Sequence, residues 1–247
     1  MADIFQIDIN ADVGEGVDNE SILMPYVSSC NIACDGHAGD LETMTQVVRL
    51  ANTHRVKIGA HPSFPDKANF GRLDMEISAA DLYASLKQQI RALQSVLHTE
   101  NAQLHHIKPH GALYNLAAKD EKTAKVIIEV IKSIAIPIKL YAPYNSIIAK
   151  LAIKEHIEVL YEAFADRNYN EDLSLVSRKN DNAMLNAKDD ILHHILLMLK
   201  HQKVKTLNGV EVPIKAATLC VHGDTKNAIE ILKYLNLKLP KNNIKIQ

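Results

Sequence analysis

The chain has little of what marks several common protein classes. Its three cysteines, Cys30, Cys34 and Cys220, are too few and odd in number for a disulfide framework. Lys and Arg total 28 against 29 Asp and Glu, a formal net charge of −1 with both signs interspersed. Such a surface offers no basic footprint for nucleic acid or an anionic membrane. No apolar run approaches the roughly 20 residues of a membrane-spanning helix. Met1–Phe5 lacks the basic and apolar regions of a signal peptide. These absences lead to the expectation of a soluble, cytoplasmic protein. Catalytic signatures are missing too. There is no G-x-x-x-x-G-K-[ST], and Gly14-Glu15-Gly16 lacks a third glycine in register, which excludes a P-loop and a dinucleotide fingerprint. Neither H-E-x-x-H nor G-x-S-x-G occurs. With no Pro/Gly/Ser linker and no exact repeat, residues 1–247 read as one domain with a short Lys-rich, solvated tail from about Lys238.

What is present is an ordinary globular composition, 47% apolar and 23% charged, sufficient for a sizeable core. Strand-like runs alternate with helical patterns along the whole chain. Ile4–Ile9 passes into the polar Asn10–Gly16. Ser28–Cys34, Val56–Ala60, Leu104–Lys108, Pro137–Tyr141, Ile157–Tyr161 and Ala217–Val221 are the other predicted strands. Helices are predicted over Asn19–Val27, after Asp40, from Ser78 to Leu97, and over Lys119–Ile134, Asn145–Glu155, Asp189–His201 and Thr225–Leu237. Their inward stripes include Met44, Val47, Val48 and Ala51, then Leu82, Leu86, Ile90, Leu93 and Leu97. Seven βα units demand a parallel sheet. A closed (β/α)7 barrel, one unit short of the common eight, fits best; a doubly wound open sheet is the alternative.

Four strand ends carry a histidine beside a glycine or proline: His37, His61, His110 and His222. In α/β folds the carboxyl ends of the strands are where ligands bind. Gly and Pro fix the direction of the chain there, so His61, His110 and His222 are candidate site residues, with Lys108 two positions before His110. Asp8, Asn10 and Asp12 share one face by period two; Asp12 and Glu15, nearest the rim, are candidates for proton transfer or cation binding. After the sixth strand, Glu162, Asp166 and Arg167 offer two acids and a guanidinium suited to a substrate carboxylate. Arg72, in the long irregular segment Pro62–Met75, offers another. Cys30 and Cys34 read as small buried apolar residues.

Assembled in order, these segments resemble the LamB/YcsF family. The resemblance runs through Asp8–Gly16, Asn31–Cys34 with His37–Asp40, Ile58–Asp66, Phe70–Arg72, Lys108–Asn115, Glu162–Tyr169 and Val221–Thr225. Two positions depart from it: Asp35 stands where the family usually has glycine, and Leu73 where it usually has a second arginine. The first is expected to alter the turn after the second strand; the second weakens a paired-arginine grip on an anion. The resemblance implies a barrel related to glycoside hydrolases and polysaccharide deacetylases. It implies a role with two partner subunits, B and C, in opening 5-oxoproline to glutamate at the expense of ATP. Asp12 or His61 would then be the base toward water, Lys108 and His110 would stabilise oxyanion or phosphate charge, and His222 would protonate the leaving nitrogen. Asn10, Glu15, Asn31, His37, Arg72, Asn115, Glu162, Asp166 and Arg167 would bind substrate. A metal-dependent deacetylase holding a divalent ion on Asp12, His61 and His110 is the alternative, and a non-catalytic scaffold a third reading.

Overall fold

A computed structural model describes residues 4–223 and 227–247. Among these residues ten strands are formed: β1 (Phe5–Val13), β2 (Ser29–Ala33), β3 (Lys57–His61), β4 (Leu104–Ile107), β5 (Lys139–Pro143), β6 (Val159–Phe164), β7 (Lys203–Lys205), β8 (Glu211–Pro213), β9 (Thr218–Cys220) and β10 (Ile244–Ile246). Strands β1 to β6 and β9 run parallel, and β9 pairs with both β6 and β1, which closes a seven-stranded barrel. The open doubly wound sheet is thereby excluded. Closure leaves no free edge in the barrel and sends alternate side chains inward.

Around it pack α1 (Glu20–Leu23), α2 (Leu41–His54), α3 (Ala79–Thr99), α4 (Gly111–Ala117), α5 (Glu121–Lys132), α6 (Ile147–Lys154), α7 (Lys188–His201) and α8 (Ala228–Lys238). Local chemistry starts several of them. Asp40, Ser78, Asp120 and Ser146 each accept a backbone N–H three residues on, satisfying a donor that the first turn cannot. The stripes read from sequence are buried in α2 (Met44, Val47, Val48, Ala51) and in α3 (Leu82, Leu86, Ile90, Leu93, Leu97).

Several expectations are corrected. β1 does not stop at Ile9 but runs to Val13, because Asn10 and Asp12 find hydrogen-bond partners inside the barrel. β5 and β6 sit about two residues later than the apolar runs suggest, in the register Leu140↔Val159 to Pro143↔Glu162. The Lys119–Ile134 helix begins at Glu121, and the separate helix α4 precedes it. The end of the chain is not a solvated tail: Leu239 and Ile244 are buried and β10 extends the sheet beside the start of β1, with Phe5 opposite Ile244. Asp224 and Thr225, in the last motif and at the expected start of the closing helix, lie outside the described residues. Among the described residues no helix is long and apolar enough to cross a membrane.

Candidate active site

The carboxyl ends of the strands surround a cavity of about 370 Å³. Asp12 and Glu15 come from the end of β1, His61 ends β3, Lys108 and His110 follow β4, and His222 follows β9. All six line the cavity, with Arg72, Asn115 and Arg167. The period-two face of β1 is what sends Asn10 and Asp12 inward together. At the rim, a Cβ on Gly111 would lie 2.6 Å from the Gly71 carbonyl oxygen, so only glycine lets the Phe70–Arg72 turn close against the start of α4.

Lys108 sits at the floor, 2% exposed, and its ammonium is fully engaged. Nζ lies 2.9 Å from Asp12 Oδ1 and 2.9 Å from Glu162 Oε1, with Asn10 Oδ1 at 3.3 Å and Cys220 Sγ at 3.2 Å. Burial opposes its charge, but Asp12, Cys220 and Glu162 hold its pKa well above the ordinary lysine value. Burial likewise opposes ionisation of Asp12, and the charges of His61 and Lys108 win, keeping it well below the usual carboxylate range. The ammonium is thus shared between two acids, Asp12 and Glu162.

His61 and His110 form a pair whose tautomers are fixed from outside. His61 Nδ1 donates to the Lys108 carbonyl at 2.7 Å, and His110 Nε2 donates to the Phe70 carbonyl at 3.0 Å. Their inner nitrogens, His61 Nε2 and His110 Nδ1, are then 2.9 Å apart, each with a lone pair. Something positive must lie between them. Asp12 Oδ2 is 3.5 Å from His61 Nε2, and Glu15 Oε1 is 3.3 Å from His110 Nδ1. Burial disfavours an imidazolium, yet the Asp12 carboxylate raises the His61 pKa; burial and the nearby His61 charge depress that of His110. A proton held on His61 satisfies the pair. The same place suits a cation, since Glu15, His37, His61 and His110 offer ligand atoms all within 4.8 Å of one another.

The histidine after β9 is built differently. His222 Nδ1 lies 3.0 Å from Asp166 Oδ1, and its backbone N–H also reaches Asp166 Oδ2. Asp166 is wholly buried. A carboxylate accepts only, so Nδ1 carries a hydrogen and Nε2 is the nitrogen left to the cavity.

Other expected residues are placed beneath or beside the cavity. Asn10, Asn31 and Asp166 do not line it; they are fully buried and support residues that do. His37 lies behind His110, stacked at 3.6 Å and bonded through Nε2 to Glu15 at 2.9 Å. Glu162 faces a neighbouring cavity of about 380 Å³. Arg167 gives two donors to the Ala183 and Val176 carbonyls, which pins the 176–183 loop across the mouth. That loop brings Ser177, Arg178 and Lys179 to the cavity, three residues that no motif in the sequence singles out. Asp35 adopts the left-handed conformation (φ 69°) that a glycine would take without strain, and pairs with Lys67. Leu73, 54% exposed, lies at the mouth. His106 is a further residue that the motifs do not mark. It is wholly buried, stacked on Tyr141 and bonded to Asn31; its place two residues before Lys108 is the signal the sequence offers.

Comparison with known proteins agrees with this architecture. The A subunit of 5-oxoprolinase from Haemophilus influenzae (strain PittEE) is 41% identical over 241 residues, 98% of each chain. The protein of the same name from Alkaliphilus metalliredigens (strain QYMF) is 40% identical over 250 residues, 98% of this chain and 97% of that one. A crystal structure of a lactam utilization protein from Thermus thermophilus superposes with a TM-score of 0.91 at 34% identity, covering 98% of this chain and 99% of that one. The LamB/YcsF family profile matches residues 7–247, and with relatives of this identity along nearly its whole length, the chain belongs to the LamB/YcsF family.

Proposed function

We propose that this chain is the A subunit of an ATP-dependent 5-oxoprolinase, a hydrolase that opens the lactam of 5-oxo-L-proline to L-glutamate. One observation carries the reading: 41% identity across 98% of both chains to a protein of that name, in a chain whose rim histidines and acids converge on one cavity. A five-membered lactam is a stable amide, so its carbonyl must be activated at oxygen. ATP serves that step, and we assign it to partner subunits B and C. The whole chain acts as one barrel domain in the cytoplasm.

The geometry divides acid from base. His222, oriented by Asp166, takes the proton of water at Nε2 as the water oxygen bonds to the carbonyl carbon. The ring C–N bond then breaks as the nitrogen takes the proton held between His61 and His110, and the acyl phosphate left on the opened chain is cleaved by a second water to the free carboxylate and phosphate. This reverses the roles read from sequence, because Asp12 is tied to Lys108 and Asn31 and makes a poor base. Arg72, at the mouth, receives the substrate carboxylate. General acid–base groups of this kind are worth roughly 10²- to 10⁴-fold each.

A second reading is favoured by the facing lone pairs of His61 and His110. With Glu15 these would hold a divalent ion, which when bound would supply Lewis-acid activation of an amide, as in a deacetylase. Glutamate release from 5-oxoproline and ATP, assayed with the chain alone and with B and C, separates the readings. Turnover only in the complex, lost in His222→Ala, supports the first. No turnover, together with stoichiometric zinc or cobalt that disappears in His61→Ala, supports the second.

A further inference from the structure

Beneath Asp12 lies a chain of buried side chains whose hydrogen-bond directions are all forced. Glu162 and Asp12 are acceptors only, and they fix the rest. Asn10 Nδ2 must donate to Glu162 Oε1 at 2.9 Å, and it also donates to Thr218 Oγ1 at 2.7 Å. Thr218 passes its own hydrogen to Asp8 Oδ2 at 2.7 Å. Asn10 Oδ1 therefore accepts, and Asn31 Nδ2 supplies the hydrogens, one to Asn10 Oδ1 and one to Asp12 Oδ1, each at 2.8 Å. Both amide hydrogens of Asn31 are then used, and its Oδ1 must accept. The donor is His106 Nε2 at 2.7 Å. His106 consequently carries a hydrogen on Nε2, and in the neutral ring its Nδ1 accepts from His105 Nδ1 at 3.0 Å. Burial, first of all, and the neighbouring His105 keep its pKa well below the ordinary histidine value.

The ring has no freedom to do otherwise. Tyr141 stacks on one face at 3.8 Å and 10°. On the other side a Cβ at position 59 would fall 2.1 Å from Nε2, a space that only Gly59 leaves open. A wrong His106 tautomer would turn Asn31 over and put its carbonyl oxygen against the Asp12 carboxylate.

We propose that His106 is a positioning residue for the lactam-opening site: by donating from Nε2 to Asn31 it sets the orientation of that amide, and through it the place of the Asp12 carboxylate between Lys108 and His61. This rests on the oxoprolinase reading for its kinetic consequence, though not for its geometry. A misplacement of about 1 Å at such a group costs up to roughly 100-fold in rate.

Two measurements test it. Long-range 1H–15N correlation on the full chain with labelled histidine reads the His106 tautomer directly, without turnover. A neutral ring protonated at Nε2 is expected; a ring protonated at Nδ1, or at both nitrogens, overturns the proposal. In the complex with B and C, His106→Leu is expected to lower kcat roughly 10- to 100-fold with KM nearly unchanged. His106→Gln, whose amide N–H can still donate to Asn31, is expected to recover most of that loss. Wild-type kcat in folded His106→Leu, or equal loss in both variants, would show that His106 only fills space. If the wild-type complex releases no glutamate, the functional reading fails while the tautomer still decides the geometry; if His106→Leu does not fold, the tautomer alone decides the proposal.

Discussion

Gly59→Ala is a one-carbon change whose cost can be worked from the packing. The added Cβ would sit 2.1, 2.4 and 2.5 Å from Nε2, Cδ2 and Cε1 of His106, where contacts of about 3.5–4.0 Å are comfortable. The ring must therefore retreat by more than about 1 Å, and Tyr141, stacked at 3.8 Å, blocks the way. Overpacking of this kind costs roughly 1–3 kcal/mol. The displaced ring also abandons Asn31 Oδ1, a buried acceptor whose loss of a donor costs about 1–3 kcal/mol more. Together that is roughly 2–6 kcal/mol, a large share of a typical domain's stability. In a chain of this size it lowers Tm by roughly 5–20 °C. Calorimetry and urea unfolding read it directly. A His106→Ala background supplies the control: with the ring gone, Ala at 59 should add less than about 1 kcal/mol, a strong coupling in the double-mutant cycle. A Gly59→Ala protein within about 1 kcal/mol of wild type, or one whose cost persists without the ring, would refute this account of the clash.

Lys108→Met should cost about 3–5 kcal/mol in urea unfolding, because Asp12 and Glu162 lose the cation both share; adding Glu162→Gln should recover part of it, and strict additivity would contradict the shared ammonium. Asp166→Asn should lower kcat about 100-fold or more while the thermal melt changes little, since the amide no longer holds His222 in the Nδ1–H tautomer; unchanged kcat would remove His222 as the base. His194, buried on α7, has its pKa lowered to about 4, chiefly by desolvation. Its ordinary value is near 6.5, so the unfolded chain binds its proton first as pH falls. Stability from this site is thus intact above about pH 6.5 and declines toward pH 4, by roughly 2 kcal/mol at pH 5. Unfolding of wild type against His194→Leu at pH 7 and pH 5 should show a smaller fall in the variant; parallel falls would contradict it.

Residues 1–247 fixed by themselves whatever depends on neighbours along the chain. The alternation of β-rich runs and capped, striped helices pointed to a parallel sheet, because each helix carries the chain back to the end where its strand began. Period two placed Asn10 and Asp12 on one face of β1, and the Gly and Pro beside His61, His110 and His222 marked the rim. Asp40 and Ser78 announced their helices through side chains that need only a backbone three residues away. Other features depended on register between distant strands, which periodicity does not carry. His106 shares a face with Lys108, yet its partner Asn31 is 75 residues off and meets it only because β2, β3 and β4 align as they do. Arg167 reads as an anion receptor until folding places the Val176 and Ala183 carbonyls against it. The chain from Lys238 reads as a free tail until Leu239 is buried and Ile244–Ile246 pair with the free half of β1. The proposed acid and base, too, rest on space: which nitrogen of His61, His110 and His222 is left to the cavity follows from the carbonyl or carboxylate facing the other one, and those partners come from separate strands and loops brought together only by closing the barrel.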